Sequence, residues 1–273
     1  MSIQDQTLSR WQWGAASHQG GRREQQDRWG VFTSPDQSGL LAIVADGMGG
    51  HLEGALGAQL VLDVARSFVE TRYAQLFANP AVALNQLCQQ IHDTINHRSE
   101  TARSTIVLLW LRGCQGHWLN IGDSRLYQFR QAQRLMRTRD HSAVQLLMDL
   151  GEIEESQMAT HPAQNRLYRS LGGEEPPKPD TGVVQMQPDD LFVLCSDGVW
   201  EHIAEAEFWT ATLTQDLPTA TRALAEQAVR RGGPTADNAT LVFLRVGGNH
   251  ANRSWLRRFF HWLAVPFTAG GQG

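Results

Sequence analysis

Five aspartates stand where apolar runs begin or end, and carboxylates placed that way can hold divalent metal ions. Asp46 closes the run LLAIVA and is followed by Gly47; Asp197 closes LFVLCS and is followed by Gly198. Asp237 stands just ahead of the last run, in TADNATLVFLRV, and Asp27 just ahead of the first, in GGRREQQDRWGVF. Asp123, in NIGDSRLYQF, sits in a break between two runs. One Asp-Gly after a strand reads as an ordinary turn, since both residues tolerate positive φ. Five such aspartates, with strand–Asp–Gly occurring twice, outweigh that reading. Gathered by a sheet, they would form a cleft of oxygen donors that cannot all stay ionised without cations. Hard oxygen ligands, with no Cys or His at ligand spacing, favour Mg2+ or Mn2+ over zinc. A glycine after the ligand, as at Gly47, frees its carbonyl to join such a shell. Arg22, five residues before Asp27, carries the planar cation that suits a phosphate held against metals, although a solvated surface arginine would look the same.

The elements that must position these residues show in the pattern. Segments 29–34, 40–45, 104–111, 117–122, 125–130, 191–196 and 239–246 are rich in β-branched or aromatic residues and bounded by Gly, Asp or Pro, which predicts strands. Helices are expected over 54–78 and over 79–98, which opens Asn-Pro, with further helical blocks near 141–170 and 204–231. Strands and helices do not alternate strictly, so antiparallel sheets flanked by helices, an α+β fold, are expected rather than a parallel sheet. The 273 residues are 41% hydrophobic and 19% charged with a formal net charge of −4, which gives no reason to expect nucleic-acid binding. Cys88, Cys114 and Cys195 show no C-x-x-C spacing and read as reduced thiols of a cytoplasmic protein. No stretch resembles a signal peptide, and none approaches the ~18 apolar residues of a membrane span.

Eight segments together resemble the metal-dependent protein phosphatase family, protein phosphatase 2C, in its bacterial form. They are RREQQD (22–27), VADGMGGHLEG (44–54), STIVLL (104–109), NIGDSRLYQFR (120–130), RDHSAVQLLMDLGEI (139–153), HPAQNRLYRSLGG (161–173), FVLCSDGVWEHI (192–203) and ADNATLVFL (236–244). The resemblance implies a catalytic domain over 10–246 and a tail over 247–273. It implies a central sandwich of two antiparallel sheets with helices on both outer faces, four layers αββα, and a flap near 141–170 that influences substrate choice. Two Mn2+ or Mg2+ ions are implied: Asp46 would bridge them, the Gly47 carbonyl would bind one, and Asp197 and Asp237 would complete one. Asp27 would stand nearby, mostly acting through waters, and Asp123 would help hold a third, weaker ion. Arg22 would contact the substrate phosphate. Two positions depart from common family patterns: Gln26 replaces a frequent Glu, and Met48 replaces a histidine that some members use to protonate the leaving group. His51 and His141 lie near the motifs and suit a structural role better than that of proton donor.

The implied reaction is hydrolysis of phosphoserine or phosphothreonine on proteins by a hydroxide bridging the two metals, with Arg22 and the ions offsetting charge on phosphorus oxygens. Cys195, on an apolar strand with nothing basic beside it, reads as a core thiol and not a nucleophile. The expected partners are phosphorylated proteins and a cognate bacterial Ser/Thr kinase; in some species such a pair controls a type VI secretion apparatus. A monomer is expected. The competing reading, an inactive phosphoprotein-binding scaffold, gives no reason to keep Asp27, Asp46, Asp197 and Asp237. Outside the resemblance, NRSWLRRFFHWLAVPF (252–267) gathers its aromatic residues on one helical face and its arginines on the other. That pattern suits an anionic membrane surface or a partner's groove as well as the protein's own core.

Overall fold

The computed structural model describes residues 11–247, with His51 in backbone only. The segment 252–267 and the outer limits of both expected domains, residues 10 and 248–273, lie outside the described residues. Eleven strands and six α-helices follow in chain order: β1 (Gln12–His18), β2 (Asp27–Thr33), β3 (Gly39–Met48), α1 (His51–Ala78), α2 (Pro80–Arg98), β4 (Arg103–Ser104), β5 (Ile106–Arg112), β6 (Gln115–Ile121), β7 (Arg125–Arg130), β8 (Gln133–Arg137), α3 (Ala143–Asp149), β9 (Asp180–Gln185), β10 (Leu191–Cys195), α4 (Asp197–Trp200), α5 (Glu205–Thr214), α6 (Leu217–Gly232) and β11 (Ala239–Arg245). One sheet runs β1-β11-β10-β7-β8; the other runs β2-β3-β5-β6-β9, with β4 beside β3. Every strand pairing is antiparallel.

Parity explains why the central strands are continuously apolar. Along β3, Leu41, Ile43 and Ala45 face α1 and α2, while Leu40, Ala42 and Val44 face the other sheet. Along β10, Leu191, Val193 and Cys195 face α5 and α6, while Phe192 and Leu194 point inward. A strand covered on both faces must be greasy at every position. The result is the four-layer αββα sandwich of the α+β class, with Cys195 a core thiol whose pKa burial pushes up.

Three strands have no clear signature. β1 reads QWGAASH because α6 packs on it: a β-carbon on Gly14 would lie 2.4 Å from the Leu217 backbone. β8 and β9 are outer strands with exposed residues; β9 alternates in burial, but its sequence DTGVVQ does not alternate in polarity. Asp46 does not end its strand; β3 continues to Met48, so Asp46-Gly47 is not a turn. The expected helical block at 141–170 is helical only in α3 and in a 3-10 turn at Glu155–Thr160. Gly151, at φ +74°, ends the first turn of chain there, and Pro162 opens further turns. The 204–231 block splits at Asp216, whose side chain caps α6 by accepting from the Thr219 N–H.

Candidate active site

The site forms at the rim where the two sheets diverge. Antiparallel register sets Asp27 of β2 directly opposite Asp46 of β3. Like charges facing each other across a strand pair are destabilising, so this pairing has no structural motive. Thr105 fixes the Asp46 backbone from both sides: its Oγ1 accepts from the Asp46 N–H at 2.9 Å and its N–H donates to the Asp46 carbonyl at 2.8 Å. A β-carbon on Gly47 would sit 1.9 Å from the Gly54 carbonyl oxygen, so the first turn of α1 can approach β3 only over a glycine. Asp27, 2% exposed, accepts from Ser196 Oγ at 2.7 Å, which ties β2 to the end of β10.

Asp197 opens α4, Asp237 precedes β11 and Asp123 follows β6, so all three arrive at the same rim as Asp46. Trp200 Nε1 donates to the Asp123 carbonyl at 2.9 Å, which pins that turn to α4. Together they line a cleft of about 200 Å³ with Arg22 and Gly47. Asp27 does not line it; its carboxyl is buried against Ser196. The cleft also takes Met48, singled out above where some family members carry a histidine, and Asn165 and Leu167 from the flap, which carried no signal of their own. Larger hollows exist, including a groove of about 840 Å³ between α1 and α2, but glutamines dominate its walls and no strand-end carboxylate reaches it.

Electrostatically the rim is strained. Burial, then the charges of Asp27, Asp123 and Asp237, push the Asp46 carboxyl far above the usual range. Burial and the charges of Asp46, Asp123 and Glu201 do the same to Asp197. Burial, with Asp140 next, raises Asp123 to about 7, and burial raises Asp27 to about 6 despite the Ser196 and Thr240 hydrogen bonds. Glu201 belongs to this cluster as well: burial and Asp123 lift it to about 7. Its signal in the sequence was the four-residue step from Asp197, one helical turn on.

These oxygens suit hard divalent cations, which would relieve the mutual repulsion. Among the described residues no three Asp, Glu, His or Cys side chains close a shell on one point. Ions here would therefore draw on carbonyl and water oxygens, as Mg2+ commonly does. Arg22 Nη2 stands 2.5 Å from Asp237 Oδ2, bringing a cation to the mouth of the cleft. His141 is turned away: it is fully buried, with Nδ1 accepting from the Gly122 N–H at 3.1 Å and Nε2 3.2 Å from Asp180.

An αββα sandwich with an oxygen-lined cleft at the sheet rim, no thiol or hydroxyl among the described residues lining it and an arginine at its mouth describes a hydrolase of the metal-dependent phosphatase class. The model of the protein phosphatase 2C family matches residues 15–231. The serine/threonine phosphatase stp of Listeria innocua is 31% identical over 214 residues, covering 76% of this chain and 82% of its own. Among solved structures, the S. agalactiae serine/threonine phosphatase matches with a TM-score of 0.78 at 27% identity, over 87% of this chain and 100% of that one. PppA, described as a key regulatory component of T6SS in Pseudomonas aeruginosa, matches at 0.70 and 30% identity, over 87% and 98%. The catalytic domain of PstP in complex with two manganese ions matches at 0.71 and 26% identity, over 87% and 99%. The chain belongs to the protein phosphatase 2C family and is a serine/threonine phosphatase.

Proposed function

We propose that this chain hydrolyses phosphoserine and phosphothreonine esters on proteins at the 200 Å³ cleft, by two-metal chemistry. The observation that carries this reading is the cluster of buried carboxylates whose burial and mutual charge raise their pKa values around a cleft, with Arg22 the one cation among its described lining residues. Asp46, the Gly47 carbonyl, Asp197 and Asp237 would hold two ions, with Asp27 nearby acting through water. Asp123 would serve a third. Bound there, Mn2+ or Mg2+ supplies hydroxide near neutral pH by acidifying water. Manganese is favoured by the PstP neighbour with its two manganese ions.

The chain's own residues do the rest. Asp46 keeps its place because Thr105 grips both of its backbone groups. Arg22 binds the non-bridging phosphate oxygens as charge builds on them. Met48 carries no proton, so the leaving alkoxide takes one from water. Asn165 and Leu167 bring the flap to the substrate and help choose it.

The physiological partner in this reading is a phosphoprotein written by a bacterial Ser/Thr kinase. The likeness to PppA supports a role in type VI secretion control. No described helix is long and apolar enough to cross a membrane. We place the catalytic domain at 10–246, as a cytoplasmic monomer, with 252–267 resting on a membrane surface or a partner. Phosphate release from a phosphothreonine peptide, followed while Mn2+ is titrated into wild type and Asp197→Asn, tests the core of the reading. Release that needs the ion and fails in the variant supports it. Folded wild type that releases nothing at saturating Mn2+ overturns it and leaves phosphoprotein binding as the activity to assay.

A further inference from the structure

Asn238 neighbours Asp237 and lines the cleft, yet none of the chemistry above uses it. Its side chain is spent entirely on the backbone of the loop that carries Arg22. Oδ1 accepts from the Gln26 N–H at 2.7 Å, while Nδ2 donates to the carbonyls of Gln19 at 2.7 Å and Glu24 at 3.0 Å. Asn238 is 4% exposed, so it is the buried polar group that fastens this partly exposed loop to the lead-in of β11. A carboxamide presents an acceptor and two donors in one plane. Aspartate would set an oxygen against two carbonyls, and an aliphatic residue would strand all three groups.

The loop has no freedom to settle elsewhere. Gly21 N–H donates to the Ala236 carbonyl at 2.8 Å. β-Carbons on Gly20 and Gly21 would fall 2.2 and 2.0 Å from the carbonyl oxygens of Asp237 and Pro234. The glycine pair thus lies flat on the lead-in to β11. Asn238 is itself clamped, since a β-carbon on Gly198 would meet its carbonyl oxygen at 2.2 Å. Arg22 rises between the anchors, its side chain 54% exposed but its base fixed on both sides. An exposed arginine pays heavily in rotamer entropy to hold a ligand, and less when its backbone is already placed.

We infer that Asn238 is a positioning residue for phosphate recognition: it holds the 19–26 loop so that the Arg22 guanidinium stands over the cleft. The inference rests on Arg22 contacting phosphate, so its test must separate the two. Asn238→Ala, Arg22→Ala and the double variant are compared by kcat/KM on a phosphothreonine peptide and by inhibition with inorganic phosphate. Mn2+ affinity by calorimetry and thermal unfolding are measured in parallel.

The expected result is that each single change weakens phosphate inhibition and kcat/KM roughly 5- to 50-fold. In the Arg22→Ala background, Asn238→Ala should then add less than about twofold. Multiplying penalties would overturn the inference, because Asn238 would be acting through something other than Arg22. If Arg22→Ala changes neither quantity, the phosphate role of Arg22 falls and the inference with it. Should Asn238→Ala fail to fold or lose Mn2+ affinity, Gly21→Ala lifts the same loop from its other side and faces the same criterion. Its penalty should likewise vanish in the Arg22→Ala background, and persistence there overturns the inference.

Discussion

Asp46 and Asp27 face each other across β2 and β3, and burial raises both carboxyls against the weaker pull of Arg22 on Asp46 and of Arg28 on Asp27. Replacing Asp46 by Asn should keep the strand and abolish most turnover, with kcat falling by on the order of 10³ or more if two-metal chemistry operates; steady-state assay at saturating Mn2+ reads it. His141 makes a separate prediction. Its Nδ1 accepts from the Gly122 N–H, so the proton sits on Nε2, toward Asp180. Burial depresses its pKa below 6.5. A depressed value means stability that is present above the unfolded pKa near 6.5 and lost as pH falls through the folded one. Wild type should therefore lose stability on acidification relative to His141→Ala, which should itself be about 2 kcal/mol less stable at pH 8. Paired denaturant titrations at pH 8 and pH 5.5 would show no such convergence if His141 were charged in the fold.

Among the elements, the flap is tied down by a buried ion pair. Arg125 of β7 is bidentate to Asp140, with contacts of 2.7 to 3.1 Å, and stacks 3.5 Å from the Trp200 ring centroid. Asp140 is fully buried, so Asp140→Ala leaves a guanidinium without its counter-charge and should cost about 3 kcal/mol. The same indole holds the Asp123 carbonyl, so the variant should also weaken Mn2+ binding, as calorimetry would register. An unchanged midpoint and unchanged Mn2+ affinity would mean that the pair does not brace the flap. The expectation of a helical block at 141–170 failed here for a local reason. Leu146, Leu147 and Leu150 carry helical spacing, but Gly151 and Pro162 break the chain and its order comes from hydrogen bonds that tie the two ends of the block to each other. Ala143 N–H to the Arg166 carbonyl and Tyr168 N–H to the His141 carbonyl are two of them.

Across the whole molecule, the carboxylate rim couples pH to metal. Asp27, Asp123 and Glu201 have pKa values raised to about 6, 7 and 7 in the metal-free fold. Raised folded values give stability that is full below the unfolded carboxylate pKa and is lost as pH rises through about 6 to 7. Metal-free protein should thus melt at a higher temperature at pH 5.5 than at pH 8, relative to an Asp123→Asn control. At pH 8, Mn2+ at about 100 times its Kd should restore about 2.7 kcal/mol. Scanning calorimetry with and without chelator would refute this if the ion left the midpoint unmoved. Much of this was legible in the chain: the aspartates beside apolar runs, the apolar runs themselves and Arg22 are local patterns, although Asp46 lies within β3 and not at its end. What was not legible depends on who meets whom. The Asp27–Asp46 register, the Glu201 approach to Asp123 and the three bonds of Asn238 each join segments whose closeness only the closed sandwich creates.

β11 begins at Ala239, two residues after Asp237, and runs seven residues to Arg245, about 20 Å toward the opposite rim. Gly247, the last described residue, therefore stands on the side away from the cleft. A chip surface, a bead or a fluorescent reporter coupled there would leave the cleft mouth facing open solvent. Immobilised in that orientation, the enzyme should turn over large phosphoproteins about as readily as it does free in solution.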